Sequence, residues 1–102
     1  MAAGDEEAAE QIQLCRQFVA REMAFEPFID GFLEARHRWI AAIRNVGSEY
    51  EGLLNDMNFD IAKHNAYDDL RQPDEFDDED LRVVMAKRLH EWDAETYVTQ
   101  YE

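Results

Sequence analysis

Apolar residues recur at steps of three and four along most of the chain, and the recurrence breaks at Glu26-Pro27, at Gly47-Ser48 and around Pro73. A helix repeats its face every 3.6 residues and proline cannot donate to the preceding turn, so this pattern predicts an all-α fold of four amphipathic helices. The first is expected over about 6–25, where Ala8, Ile12, Cys15, Val19 and Met23 share a face and Leu14, Phe18 and Phe25 widen it, with Asp5 as N-cap. The second restarts at Pro27, which suits a first helical position, and runs to about 46. Its stripe of Phe28, Ile29, Phe32, Leu33, Ala35, Trp39, Ile40, Ala42, Ile43 and Val46 is wide enough to face two neighbours, marking it as the central helix.

Gly47 stands where a C-terminal cap favours a residue without Cβ, and Ser48-Glu49-Tyr50-Glu51 has the form of a capping box. The third helix is expected over about 49–64, presenting Tyr50, Leu53, Leu54, Met57, Ile61 and His64, with Gly52 weakening it. So short a connection predicts that it lies antiparallel to the second. The fourth is expected over about 78–92, with Leu81, Val84, Met85, Leu89 and Trp92 on one face, a carboxylate as N-cap and Lys87, Arg88 and His90 toward the opposite end of the dipole. The fold class is thus a small antiparallel bundle, or hairpins, of about four helices in a single domain spanning 1–102, with an acidic loop at 65–77 and a short helical or extended tail at 93–102.

The loop and the helix start after it hold eight acids, Asp68, Asp69, Asp74, Glu75, Asp77, Asp78, Glu79 and Asp80, against Arg71 alone. The whole chain carries a net charge of -14, which repels nucleic-acid phosphates and anionic membrane surfaces and points to basic protein partners instead. A hydrophobic share of 46% against 33% charged residues argues for a folded chain. Cys15 is the single cysteine and has no internal disulfide partner, and no apolar run is long enough to span a membrane, so a soluble compartment is expected.

Chemistry-bearing patterns are sparse. Glu34 and His37 form one E-x-x-H unit of the kind that helical di-iron sites use twice, and Asp60 with His64 at i, i+4 is a makeshift second half; with acids so common, surface ion pairing is the simpler expectation. Asp56, Asn58 and Asp60 imitate the start of a calcium loop, but Ile61 stands where glycine is required and Tyr67 where the bidentate glutamate belongs. No nucleophile elbow, phosphate loop or C-x-x-C occurs, and no catalysis, cofactor or metal is expected.

Tyr67-Asp68-Asp69-Leu70, then Pro73, Phe76-Asp77-Asp78-Glu79-Asp80-Leu81-Arg82 and Lys87-Arg88-Leu89 follow the order of the YDDL, acidic turn and R-L elements of cytochrome bc1 complex subunit 7, the ubiquinone-binding protein family, which this third of the chain resembles. The resemblance implies a non-catalytic helical subunit peripheral to a respiratory-chain complex, on the matrix side of the mitochondrial inner membrane; without it the expectation is cytoplasmic. Residues 1–55 carry no part of this likeness. Two functions are therefore expected: an accessory subunit of a larger, energy-transducing assembly that binds basic neighbours, or a free-standing acidic inhibitor or nucleic-acid mimic that fills a basic groove. A metal-binding bundle is a third hypothesis, set below both because the second E-x-x-H unit is missing. Candidate interface residues are the acids Asp77, Asp78, Glu79 and Asp80 and the large side chains Phe28, Trp92, Tyr97 and Tyr101, while Trp39 is expected in the core.

Overall fold

The four expected segments are present as helices in the computed structural model, which describes residues 2–99: α1 (Asp5–Val19), α2 (Phe25–Ile43), α3 (Glu51–Ala62) and α4 (Asp78–Asp93). Among the described residues no strand occurs; a single bridge joins His64 to Phe76. The fold is all-α, a small helical bundle.

Helix ends are where the spacing misleads. α1 stops at Val19 rather than near 25, because Arg21 adopts a left-handed conformation with φ 64°. The Glu22 N–H then bonds the Gln17 carbonyl at 2.9 Å and the Arg21 N–H bonds that of Phe18 at 3.1 Å, a Schellman motif that closes the helix. α1 is capped by Gly4, so Asp5 is its first residue, not its cap. α2 begins two residues before Pro27, which still falls in the first turn where its missing N–H has no intrahelical partner to lose. It ends at Ile43, and Gly47 at φ 72° returns its N–H to the Ile43 carbonyl at 2.9 Å. The Ser48 capping box does not form: Tyr50 is the N-cap of α3, and the Ser48 hydroxyl accepts the Tyr50 N–H at 3.1 Å instead. α4 starts as its sequence predicts, with Asp77 capping Asp80 and Asp80 returning to Asp77 in a reciprocal box.

One hydrophobic cluster runs through all four helices. α1, not α2, is the central element, since it touches each of the other three. α2 lies along α1 in antiparallel register, with Leu14 beside Gly31 and Glu10 bonded to Arg38 at 2.9 Å, and it buries only Phe28, Phe32, Ala35, Trp39 and Ile43. Of the rest of its wide stripe Ile29 is partly buried against the core, while Leu33, Ile40 and, beyond the helix, Val46 are exposed. α3 pairs chiefly with α4 rather than with its chain neighbour α2, from which Arg36 reaches across to donate to Asn55 Oδ1 at 2.8 Å. Four phenylalanines knit the α1–α2 turn, Phe18 stacking on Phe28 at 4.6 Å with Phe25 edge-on to both and Phe32 following. Each fully buried ring stabilises the fold by about 1.5–3 kcal/mol over an exposed one. Phe28 belongs to this group, wholly buried, so in this fold it presents nothing to a partner, contrary to its expected interface role.

The segment between α3 and α4 is less irregular than its composition suggests. Its two ends are tied by the Asn65 N–H to Phe76 carbonyl and Phe76 N–H to Lys63 carbonyl bonds, both 2.8 Å. Inside it, Asn65 organises the turn: its side chain accepts the Tyr67 N–H at 3.0 Å and donates to Glu75, while its carbonyl accepts from Arg71 at 2.9 Å.

Candidate functional site

The predicted acids Asp77–Asp80 and the predicted aromatic residues Trp92 and Tyr97 lie toward opposite ends of α4, about 20 Å apart by helical rise. At the N-terminal end every acid of the Asp77–Asp80 run has an intramolecular task. Asp77 and Asp80 take each other's backbone N–H groups at 2.8 and 3.2 Å. Asp78 accepts from His64 at 2.6 Å, the imidazole being stacked on Phe25 at 3.8 Å; His64 thus turns toward α4 rather than toward Asp60, its supposed metal partner. Glu79 is gripped by Arg21 and Arg82, the Arg82 bond measuring 2.8 Å. Glu75 accepts the Gln72 N–H at 2.8 Å and the Asn65 amide at 3.2 Å. Hydrogen bonds to the charged form hold the Glu75, Asp77 and Glu79 carboxyls below their ordinary values: the Gln72 N–H acts on Glu75, the Asp80 N–H on Asp77 and the Arg21 guanidinium on Glu79. Ala66, Asp68, Arg71, Asp77, Asp78 and Glu79 frame a shallow cleft here.

At the C-terminal end Trp92 and Tyr97 come together, as the sequence left unspecified. A second Schellman motif, with Glu95 at φ 58° and the Thr96 N–H on the Glu91 carbonyl at 2.9 Å, turns the tail back. Tyr97 then meets Trp92 edge-on at 6.2 Å, and the Tyr50 ring lies tilted to the indole at 5.5 Å. Trp92 and Tyr97, with Glu49 and Glu95, line an open cleft of about 370 Å³. The tail also packs against Gly52, where an added Cβ would run into the Thr99 side chain. Tyr101, the last of the expected anchors, lies outside the described residues.

Beneath this cleft is a buried polar cluster that sequence reasoning missed. Arg88, 9% exposed, grips Asp60 through Nε and, at 3.0 Å, through Nη2, and its Nη1 lies 3.4 Å from Asp56 and 3.0 Å from the Tyr97 hydroxyl. The Tyr97 hydroxyl donates in turn to Asp56, which is fully buried. Burial raises the Asp60 carboxyl above its ordinary range even with Arg88 drawing it down, and burial together with the Asp56 acceptor keeps the Tyr97 phenol protonated. A signal was there: Asp56 and Asp60 fall on the same stripe as Leu53, Met57 and Ile61, and Arg88 on that of Leu81, Met85 and Leu89, so helical period alone placed opposite charges on two buried faces.

The remaining candidates stay apart. Glu34 and His37 are both exposed on α2, and among the described residues no group of three or more His, Cys, Asp or Glu side chains is placed to hold a metal. Cys15 is buried against Met57, its Sγ 3.5 Å from the thioether, and burial pushes its thiol far from the thiolate form that a nucleophile needs. No helix among the described residues is long and apolar enough to cross a membrane. Comparison with family models, curated proteins and solved structures finds no match to this chain.

Proposed function

We propose that the chain is a non-catalytic binding module that docks on a basic protein surface through the acidic face at the start of α4. The observation that supports this reading is how those acids are held. Asp77, Asp80 and Glu75 are fixed by backbone and amide donors that leave their charge in place, so ordered carboxylates face outward on a chain whose ten Lys and Arg cannot balance twenty-four acids. A preordered acidic surface of this kind suits occupation of a basic groove, the free-standing inhibitor or mimic reading, and the hydrophobic cluster shared by all four helices supports it.

The more specific reading, a subunit of a respiratory-chain assembly at the matrix side of the mitochondrial inner membrane, draws support from the partial resemblance of the Tyr67–Leu89 segment and from the uncovered Leu33, Ile40 and Val46. Titration with a short poly-lysine tests the common element. The D77N/D78N/E79Q/D80N variant should bind at least about tenfold more weakly and with a shallower salt dependence. A control with four acids neutralised on α1 and α2, E6Q/E26Q/D30N/E34Q, should lose much less. Equal losses in the two variants would show net charge alone at work and remove the acidic turn from the proposal.

A further inference from the structure

We infer that the cleft at the C-terminal end of α4 receives an alkylammonium group, the lysine or N-methyl-lysine side chain of a basic partner protein. The inference builds on the binding-module reading and gives it a second contact point, remote from the acidic turn. Its walls are the reason. A cation is attracted to the faces of tryptophan and tyrosine rings, most strongly to tryptophan, and Trp92 and Tyr97 line this cleft, both partly exposed. Glu49 and Glu95 line the same cleft, and among the described residues no lysine or arginine does. An anion would meet two carboxylates there, and a purely apolar ligand would strip water from them without return.

The chain's own cations sit over four of its other rings. Arg82 sits over Phe18 at 4.4 Å, Arg36 over Trp39 at 5.6 Å, and Lys63 over Phe59 and Phe76 at 4.8 and 5.6 Å. Among the described residues none sits over Tyr50, Trp92 or Tyr97. The same contrast holds between Arg21 and Glu95, the two non-glycine residues in the left-handed conformation among the described residues. Arg21 is held there with its guanidinium on Glu79, whereas the Glu95 carboxylate has no cationic partner among the described residues and faces the cleft. The rings are also set in advance, since Tyr97 is anchored through its hydroxyl to Asp56 and Arg88, so a ligand would not have to order them.

The test is an NMR titration of the full chain with N-acetyl-trimethyllysine amide, following the two indole N–H signals. The Trp92 signal should move saturably with a dissociation constant of about 1–10 mM while that of buried Trp39 stays still. The uncharged isostere, with carbon in place of the ammonium nitrogen, should bind at least about fivefold more weakly, the ratio that a cation–π contribution near 1 kcal/mol gives. Glu49→Gln and Glu95→Gln, both at exposed positions that leave the rings intact, should each weaken the charged ligand and not the isostere. A silent Trp92, or equal binding of the isostere, would overturn the cation site. Poly-lysine added to the same sample separates the two ideas: if it binds at the acidic turn while Trp92 stays silent, only the cleft fails, and if the small ligand binds while poly-lysine ignores the acidic turn, only the docking face fails.

Discussion

Arg88 is the residue on which the interior depends most. Its guanidinium lies between two buried carboxylates, Asp56 and Asp60, and also holds the Tyr97 hydroxyl, so its removal would take the bidentate partner from Asp60 and a nearby positive charge from Asp56. Breaking a buried ion pair from one side typically costs about 3–5 kcal/mol, whereas replacing the whole pair by apolar groups is often neutral. Arg88→Met is therefore expected to lower the urea midpoint by an amount equivalent to about 3–5 kcal/mol, and Asp60→Leu added to it to recover most of the loss. Recovery absent in the double variant would mean that Arg88 acts through something other than its charge. The cluster was half legible in the sequence. Helical period put the three charges on buried faces, but which acid faced which base depended on α3 pairing with α4, and no local pattern encodes that choice.

At the level of the element, two similar-looking start signals behave differently. Ser48-x-x-Glu51 and Asp77-x-x-Asp80 both have a capping residue and an acid three positions on, yet only the second forms a box. Asp77 sits at φ -86° and ψ -175°, the extended geometry an N-cap needs, while α3 is entered through Tyr50 in the helical region, which turns the Ser48 hydroxyl onto the nearer N–H. Asp77→Ala should accordingly destabilise by about 1–2 kcal/mol, and Ser48→Ala by no more than about 0.5 kcal/mol, read from denaturant midpoints. Similar losses would mean that Ser48 caps α3 in solution. The four helices themselves were legible because burial enforces a 3.6-residue period, and α4 was read almost to the residue because its cap, dipole charges and stripe agree. The end of α1 was not, since a left-handed arginine gives no warning in the sequence: glycine announces such a turn and Arg21 does not. The Trp92 cleft was hidden for a related reason. Glu95 makes the second glycine-free Schellman turn, and only that turn brings the tail back onto Trp92.

For the molecule as a whole, two sets of acids pull stability in opposite directions with pH. Glu75, Asp77, Glu79 and Asp93 have carboxyls held below their ordinary values of 3.8 or 4.5, by the Gln72 and Asp80 N–H groups and by Arg21 and Arg16 respectively. Their contribution is present above those ordinary values and lost as pH falls through the lower, folded ones. Asp60 is raised by burial, so its contribution is complete below 3.8 and is lost as pH rises through the raised, folded value. The net charge of -14 works in the same sense as Asp60, because protonating any acid on approach to the isoelectric point of about 4.4 relieves repulsion in the compact state. Stability should therefore peak on the acid side of neutrality, between about pH 4.5 and 6, and fall toward both pH 3 and pH 8. Salt distinguishes the causes. At about 0.5 M the screening length shrinks to a few ångströms, which removes the diffuse repulsion but leaves the desolvation of buried Asp60 untouched. Melting temperatures followed by circular dichroism should then rise at pH 7–8 and change little near pH 5, and Asp60→Asn should flatten what slope remains. A melting temperature that is level from pH 5 to 8 at low salt would show that the acidic surface costs the fold nothing, and that its charges are already compensated without a partner.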